Sequence, residues 1–496
     1  MSPLLLFSFV IGYFLILLVV ANRTSRNSNN ESFYIGNRSS NWMLVAFGMI
    51  GTSLSGVTFV SVPGTVGPSA FSYFQVVIGY FIGYFIIAYV LLPLYYRLNL
   101  TSIYNYLLQR FGLASYKTGA LFFLISRTLG ATARLYLVIN VLQIFILDQM
   151  QVPFWMTTLI ILIMILLYTF KGGVKTIVWT DTLQTTGMLL GLIICVIYIM
   201  STLDLSFTET MSSLNAKGFT TIFNTDVNSP GFFLKQIVGG IFITVAMTGL
   251  DQEMMQKNIS VRTLKDSQKN MITFSFIIVV VNFLFLLLGG LLYLYAGANG
   301  IQTVGDDLFP TVALQHLPQL IGIIFIIGLI SALFPSADGA ITALTSSFCI
   351  DILGLKRNKD MDEATQMRTR KIVHLTVAAI FMICVMVFKV IDNKSIITVI
   401  LKIAGYTYGP LLGLFSFGIL TNRKINEKLV TFVCLAAPML CFALERFQSN
   451  LFGSFQIGIE LLLINGIFTF IGLYLISKPV VIEPEVKAII NDGADQ

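Results

Sequence analysis

The sequence predicts an all-α protein that crosses a lipid bilayer many times, and three observations support this fold class. Of its 496 residues, 56% are hydrophobic and only 11% are charged, whereas soluble domains carry about 25% charged residues. The mean hydropathy is accordingly high, at +0.84. Thirteen apolar segments are each long enough, at about 20 residues, to cross a hydrocarbon core of about 30 Å. Basic residues are concentrated in alternate loops, as is typical of polytopic membrane proteins.

The predicted spans form one membrane domain, residues 1–496, with no separate soluble domain. The first span lacks a preceding basic stretch and a small-residue cleavage site, which indicates a retained helix rather than a signal peptide. The spans are about 3–21, 42–64, 71–95, 118–147, 154–170, 179–200, 232–249, 272–296, 320–350, 372–388, 396–420, 429–444 and 457–476.

The distribution of charge in the loops predicts the orientation in the membrane. The loops after the odd-numbered spans hold most of the lysines and arginines, whereas the opposite set of loops, taken together, is neutral or acidic. The positive-inside rule then places the N-terminus outside and the C-terminus in the cytoplasm, at the plasma membrane. The net charge of +7 is explained by this topology, so we expect no nucleic-acid partner.

Cysteine and histidine usage suggests neither a disulfide framework nor a zinc site. The five cysteines lie within or at the ends of apolar spans and form no CxxC pair. The two histidines, His316 and His374, are far apart in the sequence.

The second span, 42–64, carries small and hydroxyl residues where a simple lipid-spanning helix needs none. These residues are Gly51, Thr52, Ser53, Ser55 and Gly56. One interpretation is a surface on which another helix packs closely. The other is a broken helix, whose released carbonyl groups face a polar cavity and bind a hard cation.

A charged residue inside a predicted span costs about 2.5–3.5 kcal/mol on insertion scales, and six such residues are candidates for a functional role. They are Arg127, Arg134, Asp181, Asp338, Lys402 and Glu460. Arg127 and Arg134 are two helical turns apart and therefore share one helix face. These charges either pair among themselves or mark the path of a substrate or an ion.

The ninth span combines Pro335, Ser336, Asp338 and Gly339 within about one turn. Hydroxyl and carboxylate oxygens beside a helix that Pro335 breaks or bends would suit a sodium ion, and Asp181 could add a second carboxylate. A proton relay through Asp181 or Asp338 is the competing functional interpretation. The alternative structural interpretation is that these residues only pack in the protein core.

The second and seventh spans show a weak symmetry. Both are interrupted by glycines, the seventh at Gly239 and Gly240, and they lie five spans apart, so they run in opposite directions. This is the arrangement expected of a transporter built from an inverted repeat, with a binding site between two discontinuous helices.

Several motifs, in order along almost the whole chain, resemble the sodium:solute symporter family. They are SFYIGNRS (32–39), TSLSGVTFVSVPG (52–64), TSIYNYLLQRFG (101–112), YTFKGGVKTIVWTDTLQ (168–184), LDQEMMQK (250–257), SALFPSADGAITALTSSFCIDI (331–352) and AGYTYGPLLGLF (404–415). The resemblance implies a LeuT-type 5+5 inverted repeat with thirteen transmembrane helices. In this arrangement a leading helix (3–21) precedes a ten-helix core (42–421). Two trailing helices (427–477) and a cytoplasmic tail (478–496) follow the core.

The resemblance also implies a bound sodium ion between the second and ninth spans. Its ligands are the residues Gly51, Leu54, Ala332, Pro335 and Ser336. Many family members have a Ser or Thr pair where this chain has Pro335 and Ser336, so one hydroxyl ligand is missing and Asp338 or a water would have to replace it. Some relatives hold a second sodium with the aspartate of the WTD motif, here Asp181, together with the positions of Asp338 and Gly339 on the ninth span.

The resemblance places the solute among the second, third, fourth, seventh and eleventh spans. The expected contacts are Thr52, Ser53, Ser55, Thr58 and Gln75. Lys402, and Arg134 or Arg127, could bind a carboxylate. These basic residues favour an anionic solute, such as an acidic sugar or a carboxylate. Met247 and Thr248 stand where the sugar transporters have aromatic gating residues, which argues against a galactose-type site.

The predicted function is therefore sodium-coupled secondary active symport, which imports a small organic solute by alternating access. The expected partners are the solute, sodium ions and the lipid bilayer, and the protein is expected to be a monomer or a weak oligomer. Proton coupling within the same fold is the nearest alternative. A polytopic membrane enzyme is less well supported, because the loop 202–231 has acidic residues but no recognisable catalytic arrangement. A sensor would need an appended signalling domain, and a channel is a further alternative.

Overall fold

The computed structural model describes residues 3–24, 33–34, 38–355, 357, 361–391 and 396–479, and for residues 171–173 and 175 only the backbone. The predicted cytoplasmic tail, from residue 480 onward, lies outside the described residues, as does the centre of the motif at 32–39.

Nearly all the described elements are helices, which confirms the all-α class. The α-helices are α1 (Pro3–Thr24), α2 (Trp42–Ser53), α3 (Gly56–Ser69), α4 (Tyr73–Ile86), α5 (Leu92–Arg97), α6 (Asn105–Arg110), α7 (Leu113–Leu142), α8 (Phe154–Thr202), α9 (Phe207–Ala216), α10 (Phe233–Thr244), α11 (Gln252–Ile259), α12 (Leu264–Ala298), α13 (Leu308–Thr311), α14 (Gln319–Ser347), α15 (Glu363–Ile391), α16 (Ile396–Thr407), α17 (Gly409–Leu420), α18 (Glu427–Arg446), α19 (Gln448–Phe452) and α20 (Leu461–Leu475).

Short π-helical and 3₁₀ segments extend several of these helices. The π segments are Ile87–Leu91, Gln143–Leu147, Val245–Gly249, Val312–His316 and Phe348–Ile352, and the 3₁₀ segments are Asp148–Met150 and Gly305–Asp307. Two very short strands, β1 (Lys424–Ile425) and β2 (Ser477–Lys478), pair in antiparallel fashion near the end of the described chain.

Eight helices in the described part of the chain are long and apolar enough to cross a membrane, and three bent pairs bring the number to eleven. Two shorter apolar helical segments, Phe154–Phe170 at the start of α8 and Leu461–Leu475, occupy the fifth and thirteenth predicted spans. The multi-pass architecture is confirmed, whereas the count of thirteen stays a prediction. The fifth and sixth predicted spans both belong to α8, which is helical without interruption over 49 residues.

The second and seventh spans are both broken, as the sequence predicted. The axes of α2 and α3 differ by 56°, and those of Phe233–Gly249 and α11 by 64°. The predicted position of the second of these breaks is wrong, because it lies at Leu250 and Asp251 rather than at the glycine pair. A third bent pair, α16 with α17 at 46°, was not predicted.

The glycine pair of the seventh span is a packing surface instead. A Cβ atom at Gly240 would lie 2.5 Å from the carbonyl oxygen of Val76, and one at Gly79 would lie 2.2 Å from that of Ile237. Small residues therefore let α4 and α10 approach closely, which is how many membrane helices associate.

The ninth span is not broken at Pro335, which corrects the prediction of a discontinuous helix there. The helix α14 runs from Gln319 to Ser347 with Pro335 inside it. A proline removes one backbone hydrogen bond and crowds the preceding turn, but every residue of α14 from Gly328 to Ser347 is buried. Tight packing on all sides therefore holds the helix together across the proline.

Candidate solute and cation site

The break between α2 and α3 creates the centre of the site. Leu54 (φ −91°, ψ 78°) ends α2, and Ser55 (φ −73°, ψ 178°) precedes the first residue of α3. The last carbonyl groups of α2 and the first N–H groups of α3 therefore lack the partners that a continuous helix would supply. Partial charges of opposite sign converge at this point, which favours binding of ions and polar groups.

A cavity of about 90 Å³ lies beside this break. Its lining includes five residues that the sequence predicted for solute binding: Thr52, Ser53, Ser55, Thr58 and Arg134. The structure therefore brings together both arginines of α7, since Arg127 also lines this cavity, and a row of hydroxyl groups from the broken span.

Further polar lining residues were missed by the sequence analysis. They are Tyr73, Tyr80, Tyr84, Thr244, Thr248 and Asn282. Tyr80 and Tyr84 follow Tyr73 at helical spacing on α4, so a tyrosine repeat in the third span was the available signal. Together these groups supply hydrogen-bond donors and aromatic surface opposite the broken span.

The two arginines of α7 have different surroundings. Arg127 is buried and forms ion pairs with Glu253 and, at 3.8 Å between Nε and Oδ2, with Asp251. Arg134 lines the cavity, and no carboxylate among the described residues forms an ion pair with it. Of the two guanidinium groups that the sequence offered to a carboxylate, Arg134 is therefore the available one.

The structure places the other two predicted solute contacts, Gln75 and Lys402, beside a second, outer cavity of about 500 Å³. Gln75 Nε2 donates to the carbonyl oxygen of Ser72 at 2.9 Å, and its Oε1 accepts from the N–H of Asn224 at 3.1 Å. Lys402 Nζ lies 2.5 Å from Glu445 Oε1. Neither residue lines the central cavity, so the structure divides the seven predicted residues between two cavities.

Tyr73, Ile397 and Leu401 line both cavities and therefore separate them. Ile397 and Leu401 lie on α16, and a hydrogen bond to a loop fixes the start of this helix: Asp306 Oδ2 accepts from the N–H of Ile396 at 3.1 Å. Burial raises the pKa of the Asp306 carboxyl to about 6. The position of the separating residues thus depends partly on a titratable carboxyl outside the membrane spans.

The predicted sodium ligands on the second and ninth spans lie close together. A Cβ atom at Gly51 would be 3.4 Å from Pro335 Cγ. Ala332 and Ser336 lie near Pro335 on α14 and are buried, and Ser336 Oγ donates to the carbonyl oxygen of Leu333 at 2.8 Å. Carbonyl and hydroxyl oxygens are thus the available ligands. No group of three or more acidic, histidine or cysteine side chains suited to a metal occurs among the described residues.

Thr185 of α8 adds a hydroxyl group that the sequence analysis missed. Its Oγ1 accepts from the N–H of Gly51 at 3.1 Å, and it lies 2.5 Å from where a Cβ of Gly51 would be. It therefore lies next to the predicted ligands, where Pro335 cannot provide a hydroxyl. Thr185 is one turn after Asp181, so the helical spacing of the WTDTLQT stretch was the available signal.

The other two predicted cation ligands, Asp181 and Asp338, have protein partners. Asp181 Oδ2 lies 2.6 Å from Lys257 Nζ of α11 and accepts from Thr52 Oγ1 at 3.2 Å. Asp338 Oδ2 accepts from Tyr168 OH at 2.7 Å. The prediction that both carboxylates are sodium ligands is therefore not supported by these contacts.

Lys257 belongs to a buried charged cluster that the sequence analysis did not recognise. Its Nζ also lies 3.7 Å from Glu253 Oε1, and Glu253 pairs with Arg127. Asp251 begins α11 by accepting from the N–H groups of Glu253 and Met254. These residues were missed because the seventh span was predicted to end at residue 249, which assigned them to a solvated exit.

Comparisons with known proteins agree with this architecture. Residues 33–428 match the sodium:solute symporter family. The chain is 23% identical over 471 residues to the sodium/sialic acid symporter SiaT of Proteus mirabilis, with 90% of each chain covered. It is 23% identical over 433 residues to the sodium/sialic acid symporter NanT of Aliivibrio fischeri, with 84% of this chain and 82% of that one covered.

A solved structure of a Na⁺-coupled sialic acid symporter, in a substrate-bound outward-open state, has the same fold. The TM-score is 0.81 at 19% sequence identity, and the match covers 95% of this chain and 97% of that chain. The LeuT-type fold that the motifs implied is thereby confirmed.

Proposed function

The chain belongs to the sodium:solute symporter family, and we propose that the organic solute it imports with sodium is an acidic sugar whose carboxylate binds Arg134. The family and the related proteins are transporters rather than enzymes, and sodium is the coupling ion. Proton coupling, the alternative that the sequence left open, gains no support from these relatives.

The single observation that carries this proposal is the guanidinium of Arg134 at the cavity wall, which forms no ion pair with any acidic residue that the structure describes. A buried or half-buried charge without a partner is unfavourable, and it is stabilised when a ligand supplies the opposite charge. Guanidinium groups bind carboxylates through two parallel hydrogen bonds. Because Arg127 already satisfies Glu253 and contacts Asp251, an incoming carboxylate would interact chiefly with Arg134.

The remaining polar lining suits the hydroxyl groups of a sugar. Ser53, Ser55 and Thr58 come from the broken span, and Thr248 and Asn282 face the cavity from α10's π-helical extension and from α12. Hydroxyl and amide side chains both donate and accept hydrogen bonds, which matches a polyol better than a purely apolar acid. Two relatives carry sialic acid, which is an acidic sugar.

Solute access would proceed through the outer cavity. It is several times larger than the central one and shares Tyr73, Ile397 and Leu401 with it. Movement of α16 relative to α4 would join the two cavities and admit the solute, and closure would isolate it from water. Such gating by rigid elements is the usual basis of alternating access.

For sodium, we propose the junction of α2 and α14. The carbonyl oxygens of Gly51, Leu54 and Ala332 and the hydroxyl of Ser336 would bind the ion, and Thr185 would replace the hydroxyl that Pro335 lacks. Burial at this junction and the close approach of Gly51 to Pro335 support the assignment. Gly51 and Leu54 lie at the C-terminal end of α2, so an ion bound there would stabilise the carbonyl end of this helix.

The protein is a multi-pass membrane protein, and we propose that it lies in the plasma membrane with its N-terminus outside and its C-terminus in the cytoplasm. The support is the concentration of lysines and arginines in the loops that follow odd-numbered spans.

Uptake into liposomes tests this function. With an inward sodium gradient, the purified protein should accumulate radiolabelled sialic acid, and choline in place of sodium should abolish accumulation. Arg134→Gln should raise the KM for sialic acid roughly ten- to hundredfold, because a charge-assisted hydrogen bond contributes about 1.5–3 kcal/mol. Arg134→Lys keeps the positive charge but loses the two parallel donors of the guanidinium group, so its KM for sialic acid should lie between those of the wild type and Arg134→Gln.

Galactose and a short monocarboxylate serve as competitors in the same assay. Neither should displace sialic acid efficiently if both the carboxylate and the sugar are recognised. Uptake of galactose but not of sialic acid, or an Arg134→Gln variant with an unchanged KM, would contradict the proposal.

A further inference from the structure

The Asp181 carboxylate, at which the resemblance implied a second sodium ion, already contacts a cation that belongs to the chain. Lys257 Nζ lies 2.6 Å from Asp181 Oδ2 and 2.6 Å from Thr52 Oγ1. The exposed fraction is 0% for Asp181, 3% for Lys257 and 1% for Thr52. This ammonium group therefore lies where a cation bound to Asp181 would lie.

Both oxygens of Asp181 are satisfied by donors from the protein. Oδ2 accepts from Lys257 and from the Thr52 hydroxyl at 3.2 Å. With its amide oriented so that both ends are satisfied, Gln184 donates to Oδ1 at 3.2 Å. A sodium ion would have to displace these donors and would be repelled by an ammonium group in direct contact with the same carboxylate.

Neither of the two α14 positions that the resemblance assigns to such an ion, Asp338 and Gly339, carries a hydroxyl group. Asp338 is engaged by the hydroxyl of Tyr168 at 2.7 Å. Gly339 has no side chain, and a Cβ atom there would lie 2.2 Å from Glu253 Oε1. This oxygen has no hydrogen-bond donor among the described residues and lies 3.7 Å from Lys257 Nζ. The contacts around Lys257 thus resemble those of a bound cation.

We propose that Lys257 is a tethered cation that takes the place of a second sodium ion. The transporter then binds one sodium, at the junction of α2 and α14. A lysine ammonium is a compact charge with three donors, which suits Asp181, Thr52 and Glu253 as neighbours. This inference rests on the proposed function, because it assumes a working sodium site at that junction.

The tethered cation also links the two broken spans. Lys257 lies on α11, the second half of the seventh span, whereas Thr52 lies on α2, the first half of the second span. An ion pair with Asp181 of α8 holds these half-helices together. In a transporter with a second sodium ion, this connection would depend on the sodium concentration. Here the ion pair between Lys257 and Asp181 makes the connection without a bound sodium ion.

Binding of radioactive sodium to the purified full-length protein tests the inference without any knowledge of the solute. The wild type should bind about one sodium per protein, with a Hill coefficient of about 1. Lys257→Met should bind a second sodium, because Asp181 loses its cation. The double variant Lys257→Met with Asp181→Asn should return to one, and it removes both partners, which buried pairs tolerate far better than the loss of one.

Lys389→Met is the matched control. Lys389 is a half-buried lysine that donates to Asn140 Oδ1 at 2.9 Å and has no part in the cluster, so this variant should bind sodium like the wild type. Two sodium ions per wild-type protein would overturn the inference, and so would a folded Lys257→Met protein that still binds one. If that variant does not fold, the wild-type stoichiometry decides. No sodium binding by the wild type would instead contradict the sodium site of the proposed function itself.

Discussion

Arg127 and Arg134 lie on one face of α7, two turns apart, yet they have opposite electrostatic roles. Arg127 lies within a buried cluster and pairs with Glu253 and Asp251. Arg134 faces a cavity lined by hydroxyl groups and has no acidic partner among the described residues. The first arginine is compensated when the protein folds, whereas the second is compensated only when a ligand binds.

The difference shows how a membrane protein can use identical side chains for structure and for function. Burying a charge is costly unless it is paired. A buried charge with a partner therefore contributes to the stability of the fold, whereas one without a partner indicates a site for a ligand of opposite charge. Lys257 and Lys402 differ instead in burial: both are paired with a carboxylate, but the side chain of Lys257 is 3% exposed and that of Lys402 is 58% exposed.

The largest expected effect is the loss of stability in Arg127→Met. This change leaves Asp251 without its cation and Glu253 with only Lys257, at 3.7 Å, which should cost about 3–5 kcal/mol. Arg134→Met should leave stability nearly unchanged. Thermal unfolding of the two variants in the same detergent compares them directly, and Arg127→Met with Glu253→Gln should recover most of the loss. Equal destabilisation by the two single substitutions would contradict the distinction.

A second prediction concerns Asp306, a carboxyl that accepts a backbone hydrogen bond but belongs to no ion pair among the described residues. Burial raises its pKa to about 6, so the folded protein retains a proton that the unfolded chain releases. Its contribution to stability is complete below about pH 4 and is lost as the pH rises through 6, by at most about 3 kcal/mol.

Asp306→Asn should therefore reduce the fall in melting temperature between about pH 4 and pH 7. Asp307→Asn, which changes the exposed neighbour, is the control and should behave like the wild type. A wild-type and an Asp306→Asn protein with parallel pH profiles would show that this carboxyl does not titrate in the folded state as described.

A third prediction tests whether the hydroxyl groups at the α2–α14 junction bind sodium. Thr185→Val and Ser336→Ala should each weaken sodium binding up to about tenfold, since a hydrogen-bonding oxygen contributes about 0.5–1.5 kcal/mol. The measurement is the sodium-dependent rise in melting temperature against choline. Thr186→Val is the control, because that hydroxyl is exposed and bonds its own helix at Thr182.

The smallest effect is expected for Lys402→Gln. The Lys402–Glu445 pair is largely exposed, and such pairs contribute about 0–1 kcal/mol. The substitution should change neither stability nor the KM for sialic acid appreciably. If Lys402 instead binds the solute carboxylate, as the sequence predicted, Lys402→Gln should raise the KM as strongly as Arg134→Gln.

Much of the architecture was predictable because membrane insertion depends on local sequence. Hydropathy located the apolar spans, and the glycine and hydroxyl cluster at residues 51–56 indicated the break between α2 and α3. The seventh span was more difficult. Gly240 serves close packing with α4 and Gly239 with Ile459, and the break occurs at Asp251, which caps the next helix. A charged residue at that point was interpreted as the end of the span rather than as a buried cap.

At Pro335 the local sequence predicted a helix break that the structure does not have. An isolated helix is destabilised by an internal proline, and the sequence therefore favoured a bent or broken ninth span. In the structure, α14 continues through Pro335 because buried contacts surround it. Packing energy collected over the whole helix exceeds the loss of one backbone hydrogen bond.

By itself, the sequence determined the membrane class, the broken second span, the row of hydroxyl groups and the presence of an arginine at position 134 within a span. These features follow from hydropathy, helical spacing and residue type, which act over a few turns. Only the tertiary structure decided which charges are paired. Lys257 lies 76 residues from Asp181, and Arg127 lies 126 residues from Glu253. Such partners meet only when distant helices pack, because electrostatic pairing depends on distance in space and not on separation along the chain.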